Sequence, residues 1–251
     1  MLRTIARRFG LGPKYVKVRD SCIRALRRIT YRGDQVQCAC CGTSASSYLR
    51  QDLGDTCAFC ASRPRQRFIA LYLQQHLPAG ATILHFAPEL CLQRFLRARP
   101  QVSYLSADLC SIHADVHVDL ADAPTTLAKL GTQKYSILIA SHILEHLPDD
   151  LGAMRLFTQL LRPDGLALFQ VPLNPAAETY EDWSITTPEG RLQAFGQEDH
   201  VRVYGPDIVN RLTASGFHVE TIDPTQAYSP DEQRKLGLGK DITYLCRVAQ
   251  A

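Results

Sequence analysis

The sequence predicts an α/β protein in which a mostly parallel, seven-stranded sheet carries helices on both faces. Short apolar segments with strand character alternate with amphipathic helical segments along residues 64–251, an alternation typical of parallel sheets. A cysteine-rich segment at 35–63 precedes this domain, and a basic segment at 1–34 precedes the cysteines. The predicted organisation is therefore a basic N-terminal arm, a small metal-binding ribbon and a larger α/β domain.

The elements of the α/β domain follow from the spacing of its apolar residues. Strands are predicted at 81–87, 102–107, 115–118, 135–140, 166–171, 217–222 and 242–248. Helices are predicted at 68–77, 90–98, 124–130, 151–161 and 206–215. Because open parallel sheets bind their ligands at the carboxyl ends of the strands, we expect the functional residues directly after the first four strands.

The composition is that of an ordinary globular protein, with 45% hydrophobic and 21% charged residues. No apolar run reaches the ~18 residues that a membrane-spanning helix needs. The basic charge is concentrated at 1–32, where ten Arg and Lys residues are opposed by one acid, Asp20. This arm lacks the apolar core of a secretory signal, although a transit peptide remains an open alternative. We expect a cytoplasmic protein.

Five of the nine cysteines lie between Cys38 and Cys60. Cys38, Cys41, Cys57 and Cys60 form a C-x2-C-x15-C-x2-C pattern, in which two close pairs supply four thiolates to one tetrahedral zinc ion. Cys40 breaks the two-residue spacing and is expected to be a spare. Disulfides are the alternative, but a clustered, odd set of cysteines favours metal binding in a reducing compartment. Four thiolates leave no open coordination position, so the zinc is expected to be structural.

Several motifs of the α/β domain together resemble one known family. They are ILHFAPEL at 83–90, SADL at 106–109, SHILEHLPDD at 141–150, LLRPDGLALFQVP at 160–172 and GQEDHVRVYGPD at 196–207. These segments resemble a bacterial lineage of class I S-adenosylmethionine-dependent methyltransferases (type 11-like) that carries an N-terminal four-cysteine zinc knuckle and the HFAPE motif. The resemblance covers about 30–248. It implies a Rossmann-like fold and S-adenosylmethionine as cofactor, without fixing the methyl acceptor.

The same resemblance implies a set of cofactor-binding residues. In the family pattern Asp108 matches the acid that binds the ribose hydroxyls, and Asp119 matches the acid near the adenine amino group. Ala87 stands where most class I enzymes have glycine, and Glu89 takes over the ammonium-binding role of the usual acid, whose place His85 occupies. The full set is His85, Phe86, Ala87, Glu89, Asp108, Leu109, Asp119, Leu120, Ser141 and His142. Helix capping or turn formation is the alternative role for the strand-end acids.

Candidate acceptor chemistry is concentrated in two segments. His146, in the turn after the fourth strand, is the predicted general base, because histidine is the residue type that most often serves as a general base at physiological pH. His200 is the second predicted catalytic residue, and alternation puts it on one side of an extended segment with Arg202 and Tyr204. The predicted acceptor-binding residues are Glu145, Tyr180, Trp183, Arg202 and Tyr204. The long polar insertion at 172–205 is predicted to be an acceptor-site lid. A helix start at 145–146 and a surface hinge at 199–205 are the alternatives.

The predicted function is O- or N-methylation of a small-molecule or saccharide-type acceptor. The turn SHILEH lacks the Asn/Asp-Pro-Pro-aromatic motif of enzymes that methylate amino groups of nucleic acids, and it lacks a nucleophilic cysteine. Two alternatives remain: an rRNA or tRNA methyltransferase that uses the basic arm and the zinc ribbon, and a non-catalytic scaffold that binds the cofactor. The arm itself suits RNA phosphates, an anionic membrane surface or packing against the ribbon. The sequence predicts no oligomeric state.

Overall fold

The computed structural model of the protein describes residues 22–23, 25–51 and 54–249. Its strands are β1 (Val36–Gln37), β2 (Ser44–Ala45), β3 (Thr82–Phe86), β4 (Ser103–Asp108), β5 (Val116–His117), β6 (Tyr135–Ser141), β7 (Leu161–Gln170), β8 (Tyr180–Glu181), β9 (Arg202–Val203), β10 (Phe217–Ile222) and β11 (Thr243–Val248). Its helices are α1 (Pro64–His76), α2 (Leu90–Arg97), α3 (Ala123–Leu130), α4 (Asp150–Leu160), α5 (Pro188–Phe195), α6 (Ile208–Ala214), α7 (Pro224–Ala227) and α8 (Pro230–Leu236), with a 3₁₀ helix at Leu144–His146. No helix among these residues is long and apolar enough to cross a membrane.

The predicted basic arm lies largely outside the described residues. Within them, residues 25–30 are helical, and the Arg27 guanidinium donates a hydrogen bond of 2.6 Å to the carbonyl oxygen of Ala58 in the ribbon. This contact is compatible with the arm packing against the ribbon, one of the three alternatives.

The central sheet has seven strands in the order β10-β11-β7-β6-β3-β4-β5. The strand pairs from β5 to β7 are parallel, whereas β11 runs antiparallel to both of its neighbours. The prediction of a mostly parallel, seven-stranded sheet is confirmed. The strand order reverses direction at β3, so the crevice between β3 and β6 is the expected ligand site.

Both faces of the sheet are covered, because the strands alternate between two buried apolar clusters. Leu84 and Leu138 belong to the cluster that contains residues of α4 and α6. Their neighbours Ile83 and Ile137 belong to the cluster that contains residues of α1 and α2, together with several ribbon residues. Successive residues of a strand point to opposite faces, so this division confirms helices on both sides of the sheet.

The strand β7 is longer than predicted. Tyr135 of β6 pairs with Leu161, and the next pairing joins Ile137 to Leu166, so the register shifts between the two pairs. The Pro-Asp-Gly segment at 163–165 is therefore a bulge inside the strand, ahead of the predicted strand at 166–171.

The ribbon is held against the domain by a buried arginine, Arg67, which no sequence pattern predicts to be important. The guanidinium of Arg67 donates to the carbonyl oxygens of Ser62, of Asp55 at 2.8 Å and of Gly237 at 3.0 Å. It also lies 4.1 Å from the ring centroid of Tyr48. Gly237 has φ +62, and a Cβ there would lie 2.3 Å from the Tyr48 ring, so this close approach requires glycine.

Candidate active site

A cavity of about 360 Å³ opens at the carboxyl ends of β3, β4, β5 and β6. Its lining comprises Phe86, Ala87, Asp108, Leu109, Val118, Asp119, Leu120, His142, Ile143, His146, Leu147 and Asp199. Eight of these were predicted as site residues, all but Val118, Ile143, Leu147 and Asp199. The three apolar additions are chain neighbours of predicted residues, and Asp199 directly precedes the predicted His200.

Two turns at the cavity hold non-glycine residues in the left-handed region. Ala87 has φ +45 and His142 has φ +54, a conformation that costs a non-glycine residue about 1–2 kcal/mol. Each is held by its backbone N–H, which donates to a neighbouring strand: Ala87 to the oxygen of Ala107 at 2.9 Å, and His142 to that of Gln170 at 2.8 Å. The turn after β3 thus adopts a glycine-like conformation with a methyl side chain, which keeps the backbone open to a ligand.

The two strand-end acids each use one carboxylate oxygen to form a turn. Oδ1 of Asp108 accepts from the backbone N–H groups of Cys110 at 2.9 Å and Ser111 at 2.7 Å. Oδ1 of Asp119 accepts from the N–H of Ala121 at 2.9 Å. Turn formation was the alternative role for these acids, but it occupies only one oxygen of each, and both side chains still line the cavity.

The two predicted catalytic histidines are neighbours. The rings of His146 and His200 are 4.7 Å apart between centroids and meet at 85°. Nδ1 of His146 lies 3.1 Å from Oδ2 of Asp199, and Nδ1 of His200 donates to the carbonyl oxygen of Phe195 at 3.2 Å. Burial lowers the pKa of His200, an effect that the charge of the buried Glu145 opposes. His146 lines the cavity, and His200 lies behind it.

Three predicted cofactor residues lie outside the cavity. His85 alternates with Phe86 along β3, so its side chain points to the other face of the sheet. There, its Nε2 donates to Glu89 at 3.0 Å, and its Nδ1 accepts from the hydroxyl of Tyr104 at 3.0 Å. Ser141 is buried and donates to the side chain of Gln170 at 2.7 Å.

Glu89 lines a separate cavity of about 330 Å³ beside the ribbon. Burial raises the pKa of Glu89, but the hydrogen bonds from His85 and Gln66 lower it by more, so this pKa lies below its ordinary value. The carboxylate is therefore charged and already engaged within the protein.

Arg202, predicted to bind an anionic acceptor, is 1% exposed and uses its donors within the chain. Its Nε donates to Glu181 at 2.6 Å, while Nη1 and Nη2 donate to the backbone oxygens of Leu144 at 2.8 Å and Pro148 at 3.0 Å. These bonds join the segment before α6 to the turn that carries Glu145 and His146. The structure thus gives Arg202 the geometry of a residue that positions this turn.

Tyr180 and Trp183 lie on the insertion at 172–205, which is folded rather than a long irregular loop. The insertion contains β8, α5 and β9, and β8 pairs with β9. The ring centroids of Tyr180 and Phe195 are 5.6 Å apart. Trp183 is 56% exposed, and its ring centroid lies 5.8 Å from the guanidinium carbon of Arg202. That this insertion closes over an acceptor stays a prediction.

A buried ion-pair network surrounds Asp150, which is 2% exposed at the start of α4. Its carboxylate accepts from both Nε and Nη2 of Arg211, at 2.9 and 2.7 Å, and from the hydroxyl of Tyr204 at 2.7 Å. Tyr204, a predicted acceptor residue, is thus fully buried in this network. Burial raises the pKa of Asp150, but the hydrogen bonds from Arg211 and Tyr204 lower it by more, so its net pKa is below the ordinary value.

We expect the substitution Asp150→Asn to lower the free energy of unfolding at neutral pH by about 3 kcal/mol, because it removes a buried carboxylate that pairs with the half-buried Arg211 and with the buried Arg202. A carboxylate whose pKa is lowered by folding stabilises the protein above its unfolded pKa, about 3.9, and this contribution is lost as pH falls through the folded value. The difference in the free energy of unfolding between wild type and variant should therefore be largest at pH values above about 5 and should decrease below about pH 4. Urea unfolding across this pH range measures it.

Asp164→Asn is the matched control, since the side chain of Asp164 is 73% exposed and its ion pair within the described part of the chain is with Arg162 at 3.2 Å. This variant should be within about 0.5 kcal/mol of wild type at every pH. A stability loss in Asp150→Asn that stays constant from neutral to acid pH would show that charge is not the cause.

The four cysteines of the predicted metal site meet in one cluster, with all their sulfur atoms within 4.8 Å of one another. The Sγ–Sγ distance is 3.6 Å between Cys38 and Cys60 and 3.8 Å between Cys41 and Cys57. Cys40 points away and lies 3.4 Å from the backbone oxygen of Gln66, in keeping with its role as the spare. The donor set is one that suits a closed, structural metal site.

A larger cavity, of about 690 Å³, lies between the ribbon and α8, and its lining contains no predicted site residue. It is an open cleft lined by residues such as Tyr48, Arg50 and Arg234, remote from the carboxyl ends of the strands. The smaller cavity at the strand ends is the better candidate, because acidic and imidazole groups converge there and it stands at the switch point of the sheet.

The sheet order, the reversed β11 and the cavity at the strand ends together define the fold class of class I S-adenosylmethionine-dependent methyltransferases. The family model described as "methyltransferase domain" matches residues 35–226, and the chain belongs to this family. The matched range begins at the ribbon and ends after β10. No curated protein sequence matches the chain.

Solved structures with a similar fold include several methyltransferases. The CurJ carbon methyltransferase shares 13% identity at a TM-score of 0.50, over 74% of this chain and 53% of that one, so the chain spans about half of its length. A Burkholderia thailandensis 1,6-didemethyltoxoflavin-N1-methyltransferase shares 15% identity at a TM-score of 0.48, over 74% of this chain and 78% of that one. At these identities the likeness to CurJ shows the fold alone.

Proposed function

We propose that the protein transfers the methyl group of S-adenosylmethionine to a hydroxyl or amino group of a small-molecule or saccharide-type acceptor. One observation carries the proposal: His146, paired with Asp199, lines the same cavity as the strand-end acids Asp108 and Asp119. The residues proposed to bind the cofactor and the residue proposed to activate the acceptor thus line the same cavity.

The cavity fits the cofactor in size and in chemistry. Its volume, about 360 Å³, lies within the range of small-molecule sites. Asp108 would hold the ribose hydroxyls, Asp119 the adenine amino group, and the Ala87 turn would let the backbone approach the methionine part. When bound, S-adenosylmethionine supplies an electrophilic methyl group on its sulfonium.

His146 is the proposed acceptor-activating residue. A carboxylate at 3.1 Å from Nδ1 favours the tautomer with a proton on Nδ1, which leaves Nε2 as the basic nitrogen. Asp199 thereby positions His146 and stabilises the imidazolium that would form. The insertion at 172–205, which carries Tyr180, Trp183 and Asp199, is the proposed lid, and Asp199 lines the cavity.

The ribbon is proposed to hold a structural zinc ion through Cys38, Cys41, Cys57 and Cys60. The convergence of four thiols within 4.8 Å supports it, as does the burial of Cys38 and Cys57. The ribbon packs on α1 through Arg67, so the metal would stabilise the domain without taking part in methyl transfer.

We expect the zinc-replete protein to move label from methyl-labelled S-adenosylmethionine into a small molecule of a metabolite extract. His146→Ala should lower this rate by about 10²–10⁴-fold, because the acceptor loses its activating group. Binding of S-adenosylhomocysteine, measured by calorimetry, should change little. His218→Ala, an exposed histidine on β10, is the matched control and should keep the wild-type rate.

The two alternatives from the sequence give different results in the same experiment. Label in RNA, with binding that weakens as salt rises, would favour an RNA methyltransferase. Cofactor binding without any transfer that depends on His146 would favour a scaffold. Failure of the wild-type protein to bind S-adenosylhomocysteine would refute the proposed function itself.

A further inference from the structure

Three side chains at the wall of the cavity form a second potential ligand set. Glu145 and His146 stand in the 3₁₀ helix after β6, and His200 stands just before β9. One carboxylate oxygen and one nitrogen from each ring lie within 4.8 Å of one another. They combine two imidazoles with one carboxylate, a donor set unlike the four thiolates of the ribbon.

The cluster contains buried polar atoms that lack a partner. Among the residues that the structure describes, neither carboxylate oxygen of Glu145 nor Nε2 of His200 has a hydrogen-bond partner, although Glu145 and His200 are only 1% and 3% exposed. Nδ1 of His142 lies 3.2 Å from one of the Glu145 oxygens but is not aligned for a hydrogen bond. A buried polar atom without a hydrogen-bond partner destabilises the fold, so a cation bound by these atoms would remove that cost.

Each histidine is oriented as metal-bound histidines usually are. The Nδ1 atoms are engaged, in His146 by the carboxylate of Asp199 at 3.1 Å and in His200 by the carbonyl oxygen of Phe195 at 3.2 Å. A carboxylate or a backbone carbonyl on one ring nitrogen fixes the tautomer and leaves the other nitrogen free to bind a metal. In both residues this free nitrogen is Nε2.

We propose that Glu145, His146 and His200 bind a divalent transition-metal ion beside the cofactor cavity. Imidazole and carboxylate donors together suit Zn²⁺, Mn²⁺, Fe²⁺ and Co²⁺. Three protein ligands leave at least one coordination position open, and because His146 lines the cavity, that position faces it. The site is therefore open, whereas the four-cysteine cluster is closed.

This inference rests on the proposed function and deepens it. It selects an acceptor with a hydroxyl or other oxygen donor that can occupy the open coordination position. The acceptor oxygen would then be held and polarised next to the cavity. His146 would act as a ligand rather than as a base, and Asp199 as the residue that orients it. The metal would make the bound hydroxyl more acidic, so that its proton passes to solvent while the new C–O bond forms and the C–S bond of the sulfonium breaks.

The test is a titration with Mn²⁺ of protein that carries a single equivalent of zinc, which the four thiolates of the ribbon bind preferentially, followed by electron paramagnetic resonance of the free ion. Mn²⁺ is chosen because it prefers nitrogen and oxygen ligands to the thiolates of the ribbon. We expect one bound Mn²⁺ per chain in wild type. Glu145→Gln and His146→Ala should weaken binding more than about 100-fold, and Asp199→Asn about 10–100-fold, the usual effect of losing a group that orients a ligand.

The variants separate metal binding from folding. His146 and Asp199 have side chains 31% and 70% exposed, so their substitution should leave the melting temperature nearly unchanged even if that of Glu145 does not. His218→Gln should bind Mn²⁺ as wild type does. Absence of tight Mn²⁺ binding in wild type, or equal binding in all variants, would overturn the inference.

Failure of the inference and failure of the proposed function are distinguishable. Methyl transfer that depends on His146 in a protein that binds no Mn²⁺ would leave His146 as a base and refute the metal site alone. Mn²⁺ binding in a protein that does not bind S-adenosylhomocysteine would refute the proposed function and leave the metal site standing.

Discussion

Loss of metal from the four-cysteine cluster is expected to unfold the ribbon at 36–62 and to lower the melting temperature by more than about 10 °C. Structural zinc sites contribute roughly 10–16 kcal/mol of binding energy that is coupled to folding. The ribbon strands β1 and β2 have only two residues each, so they have little stability of their own. Cys57→Ser should reproduce the effect, as measured by zinc content and by hydrogen exchange of residues 36–62.

Cys40→Ser is the matched control, because Cys40 is a buried cysteine of the same ribbon whose sulfur lies outside the cluster. It should keep one zinc ion at the ribbon and most of the exchange protection. Zinc retention in Cys57→Ser, or zinc loss in Cys40→Ser, would contradict the assignment of ligands.

Asp108→Ala is expected to weaken S-adenosylhomocysteine about 100-fold, because two charge-assisted hydrogen bonds to the ribose, each worth about 1.5 kcal/mol, would be lost. The substitution also removes the acceptor of the Cys110 and Ser111 N–H groups. Asp108→Asn keeps an oxygen that can accept from these N–H groups, so it tests the ligand contact alone. This variant should lower the affinity for S-adenosylhomocysteine about 10-fold. Calorimetric titration measures both variants.

Two further variants complete this comparison. Asp122→Ala removes an acid that caps α3 outside the cavity, and it should bind like wild type. Glu89→Ala tests whether the amino-acid end of the cofactor reaches the separate cavity beside the ribbon. Because His85 and Gln66 already form hydrogen bonds with this carboxylate, we expect Glu89→Ala to lower the affinity for S-adenosylhomocysteine less than Asp108→Ala does. Unchanged affinity in Asp108→Ala would contradict the cofactor site.

The strand-end residues could be predicted because topology alone brings them together. In a parallel sheet the residues after neighbouring strands share one edge, whatever the helices between them do. Asp108, Asp119 and His146 were placed by this rule, and all three line the cavity. Their positions needed only the order of strands, which the apolar pattern indicates strongly.

The residues that lie elsewhere show what a strand pattern leaves open. Alternation correctly grouped His200, Arg202 and Tyr204, and all three are buried. The alternation pattern does not show what these side chains pack against. In the structure they pack against the 3₁₀ helix and the Asp150 network, and their polar groups are used within the protein. His85 was predicted at the cofactor site but lies on the other face of the sheet. A strand that is covered on both faces is apolar throughout, so its sequence does not indicate which face carries the site.

The helix α8 had no apolar pattern to reveal it, because none of its residues is buried. A usable signal was the Ser-x-x-Glu capping box, in which Ser229 and Glu232 bond reciprocally at its start. No local sequence pattern predicts that Arg67 holds the ribbon, because one of its hydrogen-bond acceptors, Gly237, lies 170 residues further along the chain.

The contact between Arg67 and Gly237 has a consequence for synthesis of the chain on the ribosome. The two residues are 170 positions apart, so at about 5–20 residues per second Gly237 is made roughly 10 to 30 s after Arg67. Throughout that interval the four ribbon cysteines are already synthesised and could bind the proposed zinc ion, whereas Arg67 lacks the Gly237 carbonyl oxygen that completes its hydrogen bonds. Binding of the proposed zinc ion could therefore precede docking of the ribbon on the α/β domain.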